Sequence, residues 1–574
     1  MKTFFFFFSL FFVSEMIAQT NTIGTIKNTP ESLDGYTLFA PLNGYKTYLI
    51  DNCGQKVHEW SHVAESRLTV ELLEDGTLIR SAEGDGAHAN WTVGGSAGRI
   101  EKVDWNSNVT WSFEYISATP SDSGQYNTHH DFEVLPNGNI LILVWENRPQ
   151  SDVISQGVNT DYDDDFMWME KIIEIEPTGT SGGNIVWEWF LYDHIIQDFD
   201  ASKPNYGNVS ANPNKIDINY KKSLNFHPDW IHINSIDYNA DLDQILLTAN
   251  KAHEIWILDH STTTAEAKTG TGGTRGKGGD ILYRWGNPYA YKVGDPDDRI
   301  LTQPHHAEWI PNGYRDAGKI MLYNNGDFWD EIPSRITMFE PAMDAAGNYT
   351  MPTPGNAFLP NAPFWQYFMN LDVVQPDFIS DILSGVYRLE NGNTLICNGA
   401  IHGYFIELDS NDNVVWEYFS PAGAHNDHGS FLTQGDEWAT GLDFRTDVFR
   451  AIKYKPNYLG FTGQDLTPGS PLELNPNANA CTLYPDTTLE PINIEEWKSN
   501  IEINNPINNL LIIKSDLDYS FKAHVYNLQG QLIYESIIHP DGFTINSSGW
   551  HSGLYILELT NSKNQKMRKK IIKQ

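Results

Sequence analysis

Basic residues are scarce in this sequence: 38 Lys and Arg stand against 74 Asp and Glu among 574 residues, for a formal net charge of −36. Nucleic-acid-binding proteins normally present a basic face, so the deficit disfavours that class. Cysteine is scarce too, since the chain has only Cys53, Cys397 and Cys481 and no Cys-x-x-Cys pair. That scarcity argues against a cysteine-based zinc site.

Long apolar runs are missing after the first residues. Residues 1–18, MKTFFFFFSLFFVSEMIA, combine Lys2, a Phe-rich core and the small residue Ala18, which predicts a secretory signal too short for a stable membrane span. No later stretch has 18 consecutive apolar residues, so we expect a soluble mature protein outside the cytoplasm with no transmembrane segment. That location permits one disulfide among the three cysteines, and the sequence does not choose the pair.

Two catalytic signatures are absent as well. The Gly-rich stretch TGTGGTRGKGGD (269–280) lacks the P-loop spacing, and the DILYRWGN that overlaps its end is typical of a strand. No Gly-x-Ser-x-Gly sequence occurs. Neither a phosphate-binding loop nor a serine nucleophile elbow is therefore predicted.

Aromatic residues and glycine, in contrast, are plentiful: 18 Trp, 27 Tyr, 28 Phe and 45 Gly favour a β-rich chain with many turns. A phrase of four short strands with Asn-Gly-like turns recurs about six times, as in ELLEDGTLIR followed by GRIEKVDWNSNVTWSFEY. Such units repeated around an axis give a β-propeller. We predict an all-β fold with a six-bladed β-propeller over residues 19–475; an array of β-sandwiches is the alternative.

The C-terminal part breaks this pattern. Residues 476–500 are rich in Pro, Asn and Thr and predict a linker, and residues 501–574 have the alternation of a small β-sandwich-like domain. The phrases YNLQGQLIYE, SGLYILEL and KKIIK resemble the type A sorting domain of the Bacteroidetes type IX secretion system, with its Tyr-Pro-Asn-Pro opening reduced to Asn505-Pro506. This resemblance implies export through the periplasm to the cell surface or medium, with the secretion machinery as partner.

Histidines occur at one register of three repeats. His130, His232 and His305 each lie seven residues before a turn asparagine, namely Asn137, Asn239 and Asn312. Equivalent positions of propeller blades face the same place near the axis, so these three histidines are expected to converge. Histidine can act there as general base, metal ligand or nucleophile.

Polar neighbours accompany the three histidines in the sequence. Asp131 and His306 follow two of them directly, and Asn234 lies two residues after the third. His402 and Arg148 lie eleven residues after their turn asparagines, where the next strand ends. Aromatic residues offer candidate walls for such a pocket or, equally, blade core: Trp145, Trp230, Trp329 and Tyr404.

Four phrases occur in order and carry a specific resemblance: HHDFEVLPNGNILI, DWIHINSIDYNADLDQILLTANKAHEIWILDHSTTTAEA, DILYRWGNP and QPHHAEWIPNG. Over residues 30–460 the chain resembles the bacterial aryl-sulfate sulfotransferase family. The resemblance implies a six-bladed propeller that moves a sulfuryl group from a phenolic sulfate ester to a phenol acceptor. It implies no cofactor or metal, because a transiently sulfated histidine replaces the nucleotide sulfate donor.

The resemblance assigns roles to the same three histidines. The family's sulfated histidine lies before a Pro-Asn-Gly-type turn and corresponds to His305, whereas His130 and His232 would hold the sulfuryl oxygens or act as acid and base. Departures concern His306, where the family has Asp, and Asn250, where it has an arginine eighteen residues after His232. Asparagine lacks the bidentate fork of arginine. Lys251, Arg148 and Arg335 are the candidate replacements, and the predicted substrate-binding residues are Asn250, Lys251, Asn234, His306, His402 and Arg335.

Two other classes of function fit parts of the pattern. Three or four converging histidines can hold zinc, copper or iron, which would make the chain a metalloenzyme. A propeller that binds surface glycans or proteins without catalysis is the other alternative, although it needs no histidines in register.

Overall fold

The structure is a computed structural model, and it describes residues 21–85, 91, 93–117, 125–159, 161–220, 228–327, 329–344, 346–368, 380–400, 402–436, 444–477, 481–485, 501–515, 521–527, 531–538, 543–560 and 566–574. The predicted secretory signal and most of the predicted linker lie outside these residues. Contacts divide the chain into two compact units, Met1–Tyr484 and Pro485–Gln574, with the boundary inside the predicted linker.

The first unit consists mainly of short strands that alternate with turns. Its strands are β1 (Gly24–Asn28), β2 (Tyr36–Pro41), β3 (Lys46–Asp51), β4 (Lys56–Ser61), β5 (Ser66–Leu72), β6 (Leu78–Glu83), β7 (Gly98–Val103), β8 (Val109–Glu114), β9 (Tyr126–Val134), β10 (Ile140–Pro149), β11 (Phe166–Pro177), β12 (Gly183–Phe190), β13 (Ile195–Ile196), β14 (Ile216–Asp217), β15 (Ile233–Asn239), β16 (Gln244–Ala249), β17 (Glu254–Asp259), β18 (Tyr283–Trp285), β19 (Pro304–Trp309), β20 (Ile320–Asn324), β21 (Arg335–Phe339), β22 (Trp365–Phe368), β23 (Gly385–Arg388), β24 (Thr394–Asn398), β25 (Tyr404–Leu408), β26 (Val414–Phe419) and β27 (Val448–Tyr454). The helices are short: α1 (Gln150–Ser155), α2 (Thr264–Ala267) and the 3-10 turns Leu191–His194, Val209–Ala211, Pro288–Tyr291, Pro296–Asp298, His425–Asp427 and Leu459–Phe461. None of the described helices is long and apolar enough to cross a membrane.

Six antiparallel sheets account for the described strands of this unit apart from a parallel pair, β13 and β14. In sheet order they are β27-β2-β3-β4, β5 to β8, β9 to β12, β15 to β18, β19 to β22, and β23 to β26 with β1 at its outer edge; we call them the first to sixth sheets. Each sequence repeat coincides with one sheet, and the all-β prediction is confirmed. The strand β27 returns from the far end of the unit to pair with β2, which the repeats did not predict.

The first strands of the six sheets contact one another in a closed series. β27 contacts β5, and the series continues through β9, β15, β19 and β23 back to β27. A first strand leaves backbone N–H groups unpaired on its free side, and these need acceptors when they are buried. Acidic side chains of the preceding strand supply them: Asp131 accepts from the Ile236 N–H (3.1 Å), Asp237 from the Trp309 N–H (2.7 Å) and Glu308 from the Arg388 N–H (3.0 Å).

A disulfide fixes the end of the first unit to its beginning. Cys53 and Cys481 are bonded although they lie 428 residues apart, whereas Cys397 is a free, buried thiol in β24. The structure therefore settles the pairing that the sequence left open.

The second unit has two antiparallel sheets, β28-β29-β32 and β31-β30-β33-β34. Its strands are β28 (Ile501–Ile503), β29 (Leu510–Ser515), β30 (Phe521–Asn527), β31 (Leu532–Ile538), β32 (Phe543–Asn546), β33 (Gly553–Thr560) and β34 (Lys566–Lys573). Both sheets contribute to one apolar core, for example through Leu511, Val525 and Leu557.

Candidate active site

His130 and His232, which come from different repeats, lie side by side. Their ring centroids are 4.4 Å apart, and the ring planes are inclined at 79°. His130 in β9 has a φ of +47° and His232, just before β15, a φ of +56°. Such left-handed conformations are strained for residues with side chains and cluster at functional sites. The pairing register of both strands is shifted beside these residues, and the bulges turn the two imidazoles into one space.

Trp145 and Gly95 enclose this pair. Trp145 is fully buried, with its ring centroid 5.8 Å from that of His130 and 6.3 Å from that of His232. Gly95 packs directly on the His130 ring, where a Cβ atom would meet the imidazole Cε1 at 1.9 Å. Only glycine therefore fits at position 95, and both histidines are closely packed on these sides.

His232 is held by a buried carboxylate. Its Nδ1 lies 2.5 Å from Oδ2 of Asp229, and the same oxygen accepts from Nζ of Lys251 at 2.9 Å. Burial would raise the pKa of Asp229, but the charges and hydrogen bonds of His232 and Lys251 hold it below its usual value. Because the Asp229 carboxylate accepts the Nδ1 proton, Nε2 of a neutral His232 is left as the basic nitrogen.

His130 has a comparable support from its neighbour in β9. Nδ1 of His130 and Nδ1 of His129 are 2.9 Å apart, and Nε2 of His129 lies 3.1 Å from Oε2 of Glu170. The other oxygen of Glu170 accepts from the Ile233 N–H at 2.8 Å, which ties the third sheet to the fourth. Burial and the charges of His232, His129, His305 and Arg450 hold the pKa of His130 well below its usual value, so this imidazole is neutral.

His305 in β19 has its tautomer fixed by its partners. Its Nδ1 lies 2.8 Å from Oδ1 of Asn325 and 3.3 Å from the carbonyl oxygen of Gln303. The Asn325 amide nitrogen donates to the carbonyls of Ser380 (2.7 Å) and Leu383 (3.0 Å), so its oxygen must face His305. Nδ1 therefore carries the proton, and Nε2 presents a lone pair.

The electrostatic surroundings keep His305 uncharged. Burial lowers its pKa to about 3, the charges of His232 and Arg450 act in the same direction, and the hydrogen bonds to Asn325 and Gln303 only partly oppose them. His305 is thus an unprotonated imidazole at neutral pH, within electrostatic reach of His130 and His232. An imidazole in this state can act as a nucleophile.

Arg450 of β27 brings a second cation to this region, besides Lys251. Its Nη1 lies 2.8 Å from Oδ2 of Asp131, next to His130, and its Nη2 donates to the Asn234 carbonyl at 3.3 Å. Its Nε has no hydrogen-bond partner although it is buried. Asp131 also accepts from the Thr69 hydroxyl at 2.6 Å, so one carboxylate connects four sheets.

Some of the predicted substrate-binding residues support the histidines indirectly. The amide nitrogens of Asn234 and Asn250 both donate to the carbonyl of Pro304, at 2.9 and 3.1 Å, which fixes the backbone just before His305. Lys251 contacts Asp229, as described above. The structure thus places these three residues around the histidines, in contact with the protein's own groups.

The other predicted residues lie elsewhere. His306 accepts from the Val386 N–H at 3.1 Å and packs on Tyr387 (4.4 Å), so it faces the sixth sheet. Arg335 donates to the Ile300 carbonyl at 2.9 Å, and His402 pairs with Thr446. The described contacts of these residues include neither His130 nor His232. Arg148 pairs with Glu146, Tyr404 with Glu417, Trp230 is buried in a core cluster, and Trp329 is exposed.

Apolar side chains lie at or before the beginnings of the first strands that carry none of the three histidines. Leu68, Leu383 and Phe449 pack together with Leu42, and the Phe449 ring centroid is 6.4 Å from that of His130. The three buried residues precede or lie in the first strands of the second, sixth and first sheets, whereas the histidines belong to the third, fourth and fifth. A ligand bound between the histidines and this cluster therefore contacts imidazoles on one side and an apolar surface on the other.

Two carboxyl groups lie near the ends of the first strands of the second and third sheets. Glu71 is two residues after Thr69, Glu133 is two residues after Asp131, and both are partly accessible. Burial, with the charge of Asp131, raises the pKa of Glu71 to about 7, and burial with the charge of Asp237 raises that of Glu133 well above its usual value. Arg450 opposes both shifts and also lowers the pKa of His130, so its positive charge acts on the histidines and on these acids.

Among the residues that the structure describes, no group of His, Cys, Asp and Glu side chains has the geometry of a metal site. The imidazoles instead contact carboxylates, an amide and each other. A lone-pair imidazole nitrogen within electrostatic reach of a buried guanidinium suits an enzyme that transfers an anionic group.

The chain belongs to the arylsulfotransferase (ASST) family, whose model matches residues 46–349, more than half of its length. Residues 505–574 match the secretion system C-terminal sorting domain, which indicates export. Both resemblances predicted from the sequence are thereby confirmed. No curated protein matches the chain.

Solved structures give only weak likenesses. A protein of unknown function from Bacteroides caccae is 10% identical, with 73% of this chain and 98% of that one covered and a TM-score of 0.36. A protein from Lactobacillus plantarum is 9% identical (90% and 100% covered, TM-score 0.32), and hydrazine synthase of Kuenenia stuttgartiensis is 8% identical (70% and 80% covered, TM-score 0.29). These likenesses are too low to support a fold or a function.

Proposed function

We propose that this chain is an aryl-sulfate sulfotransferase that carries the sulfuryl group on His305 between a phenolic sulfate ester and a phenol. The observation that carries the proposal is the hydrogen bond between Asn325 Oδ1 and His305 Nδ1, because it leaves Nε2 unprotonated among the other two histidines. Membership of the arylsulfotransferase family supports the same reaction class.

The scaffold in this proposal is a six-bladed β-propeller. It is supported by the six sheets, by the closed series of contacts between their first strands, and by β27, which joins the first sheet from the other end of the unit. Each sheet then acts as a blade, and the first strands line a central channel. His130, His232 and His305 lie where three successive blades begin at this channel.

The first half-reaction forms the sulfated enzyme. The Nε2 lone pair of His305 attacks sulfur, the bond between sulfur and the aryl oxygen breaks, and the phenolate leaves with the bonding electrons. The imidazole keeps its Nδ1 proton and becomes positively charged, which the Asn325 and Gln303 oxygens stabilise. A protonated His232 beside Asp229 can give its proton to the departing phenolate.

The second half-reaction reverses these bonds with a new phenol. His232 accepts the phenol proton on Nε2 while Asp229 holds its Nδ1 proton, as in other carboxylate–histidine pairs. The phenol oxygen attacks sulfur, and the bond between sulfur and Nε2 of His305 breaks. His305 returns to the neutral Nδ1-protonated form from which it began.

In this proposal the apolar surface of Leu42, Leu68, Leu383 and Phe449 receives the aryl group of the ester. In the proposed complex the sulfuryl group points to the imidazoles while the ring of the ester lies on these side chains. Burial of an aromatic ring on such a surface stabilises a complex by about 25 cal/mol per Å² of apolar area.

Delivery of the enzyme follows from its C-terminal domain. The sorting domain indicates secretion or surface export, and we propose passage through the periplasm with the type IX machinery. Phenolic sulfate esters from the surroundings then reach the enzyme without crossing a membrane.

The proposal is tested with His305→Asn, which preserves size and a hydrogen-bonding group but removes the nucleophile. Transfer from a chromogenic aryl sulfate to added phenol should fall by roughly three orders of magnitude or more. His428→Gln, at an exposed histidine, is the matched control and should keep full activity. Wild-type-like turnover of the folded His305→Asn variant would exclude His305 as the nucleophile.

The intermediate gives an independent readout. Wild-type protein exposed to the donor without phenol should gain the mass of one sulfuryl group on the peptide that contains His305, and phenol should remove it. Stoichiometric metal in the purified protein, with activity abolished by a chelator and no sulfated peptide, would instead establish a metalloenzyme. Retained glycan affinity without any transfer would point to a binding protein.

A further inference from the structure

The family resemblance implies an arginine at the position of Asn250, whose amide is already used on the Pro304 carbonyl. A sulfuryl group carries negative charge on its oxygens and needs a donor that Asn250 does not supply. Lys251 does not supply it either, because its ammonium group binds Asp229. Arg335 lies in β21 and donates to Ile300.

Arg450 offers what these residues lack. It is 7% exposed, and two of its nitrogens have single partners at 2.8 and 3.3 Å, which leaves three N–H donors without a described partner, including the buried Nε. Burial of a guanidinium with unused donors destabilises the folded protein unless a further acceptor is bound for part of the time. An anion bound beside His130, His232 and His305 would be that acceptor.

The Arg450 side chain also reaches from its own first strand to one that is not its neighbour. Its strand, β27, stands three places from β15 in the closed series, yet its Nη2 reaches the Asn234 carbonyl in β15. The side chain therefore crosses the space that the first strands enclose. Its positive charge acts on His130, His305 and His306 alike.

We propose that Arg450 binds the sulfuryl oxygens of the donor and of the sulfated intermediate, and thereby replaces the arginine absent at position 250. This inference rests on the proposed function. Arg450 lies outside residues 46–349, so the anion site of this chain is completed by a strand that the family model does not match. Asp131 positions the guanidinium, and Phe449 packs on it at 4.5 Å from its ring centroid.

Binding of inorganic sulfate to the full chain, measured by calorimetry, tests the assignment without requiring turnover. Arg450→Met should weaken sulfate binding by roughly tenfold or more, as expected for the loss of a charged hydrogen-bonding partner. Arg450→Lys keeps the charge but loses the bidentate geometry of the guanidinium, so its sulfate affinity should lie between those of Arg450→Met and wild type. Arg99→Met removes an arginine that pairs with Glu114 on the second sheet and should bind sulfate like wild type.

Folding is checked separately, because Arg450 also holds Asp131. The comparison uses variants whose circular dichroism matches that of wild type; if Arg450→Met does not fold, the Lys variant decides alone. Unchanged sulfate affinity in a folded Arg450 variant, or no sulfate binding by wild type, overturns the assignment. His305→Asn should still bind sulfate, because sulfate binding does not require the nucleophile. If wild type binds sulfate but does not transfer the sulfuryl group, the proposed reaction is refuted while the Arg450 site stands.

The same variants give a kinetic signature. Arg450→Lys should raise KM for the aryl sulfate and lower the rate of sulfation of His305, while KM for the phenol changes little. A purely structural role would instead lower the amount of active enzyme with unchanged KM values.

Discussion

The side-chain oxygen of Asn325 lies 2.8 Å from Nδ1 of His305 and, because its amide nitrogen is bound to two carbonyls, it cannot turn away. This contact is the shorter of two on Nδ1, the other being the Gln303 carbonyl at 3.3 Å, and together they leave Nε2 as the free nitrogen of the imidazole. Asparagine at this position thus helps to set the protonation of the proposed nucleophile.

Asn325→Leu is expected to reduce transfer by roughly two orders of magnitude, because the wrong tautomer of His305 becomes populated. The rate of sulfation in a single turnover measures the effect, and sulfate affinity should stay near the wild-type value. Asn312→Ala, at an exposed turn asparagine that donates to Asp241, is the control. An unimpaired Asn325→Leu enzyme would mean that the tautomer is set by other groups.

Asp229→Asn should impair His232 as acid and base. We expect a decrease in kcat of roughly 10- to 100-fold, with the larger effect for donors whose phenol is a poor leaving group. Comparison of nitrophenyl and unsubstituted phenyl sulfates measures this dependence. Lys251→Gln leaves the carboxylate in place and should have a smaller effect; equal loss with every donor would argue against proton transfer by His232.

The acidic limb of the pH profile reports on the imidazoles. Since burial lowers the pKa of His305 to about 3, protonation of this residue should not limit the reaction until the pH falls well below neutrality. At His305 the folded state binds fewer protons than the unfolded chain between this value and the usual histidine pKa, so the contribution of this residue to stability falls as the pH is lowered through that window. Sulfation rates measured on the folded enzyme between pH 5 and 8 should therefore show no titration of His305.

Glu71→Gln should stabilise the protein in alkaline solution. The pKa of Glu71 is raised from its ordinary 4.5 to about 7, so its favourable contribution exists at low pH and is lost as the pH rises through the folded value. Glutamine removes this loss. We expect Tm to rise by a few degrees, on the order of 2–4 °C, at pH 8 and by less at pH 5. A larger rise in Tm at pH 5 than at pH 8 would contradict an upward shift of the Glu71 pKa.

The disulfide can be checked by thiol counting. Native protein should not react with a thiol reagent, whereas denatured, unreduced protein should expose one thiol, that of Cys397. Cys53→Ser should destabilise the protein by roughly 2–4 kcal/mol, because the cross-link no longer restricts the unfolded chain. Two reactive thiols in the native wild-type protein would contradict the pairing.

Local sequence patterns were enough to predict the sheets, since alternation of apolar residues and Asn-Gly turns is fixed within a hairpin. They also predicted that His130 and His232, which share a register, lie near each other, and the two rings are in contact in the structure. They could not give β27 or Arg450, because that strand pairs with a partner some 400 residues earlier, Tyr454 with Tyr36.

Side-chain roles were less predictable than positions. Asn250 is predicted to bind substrate, and in the structure its amide nitrogen donates to the Pro304 carbonyl, a contact that the sequence did not indicate. The phrase DWIH contains Asp229 three residues before His232, so its spacing offered a signal for that contact. No such signal existed for Asn325, whose orientation depends on the carbonyls of Ser380 and Leu383 in a distant segment.

The raised pKa values of Glu71 and Glu133 have a consequence for the order in which molecules bind. Because burial raises the pKa of Glu71 to about 7 and that of Glu133 well above its usual value, both carboxyls are largely uncharged below neutral pH and cancel little of the positive charge of Arg450, which attracts an anionic ester. In the proposed reaction the ester and the acceptor phenol occupy the same place among the histidines in turn. Excess phenol should compete with the ester for the unsulfated enzyme, and turnover should fall at high phenol concentration unless the ester is raised in proportion.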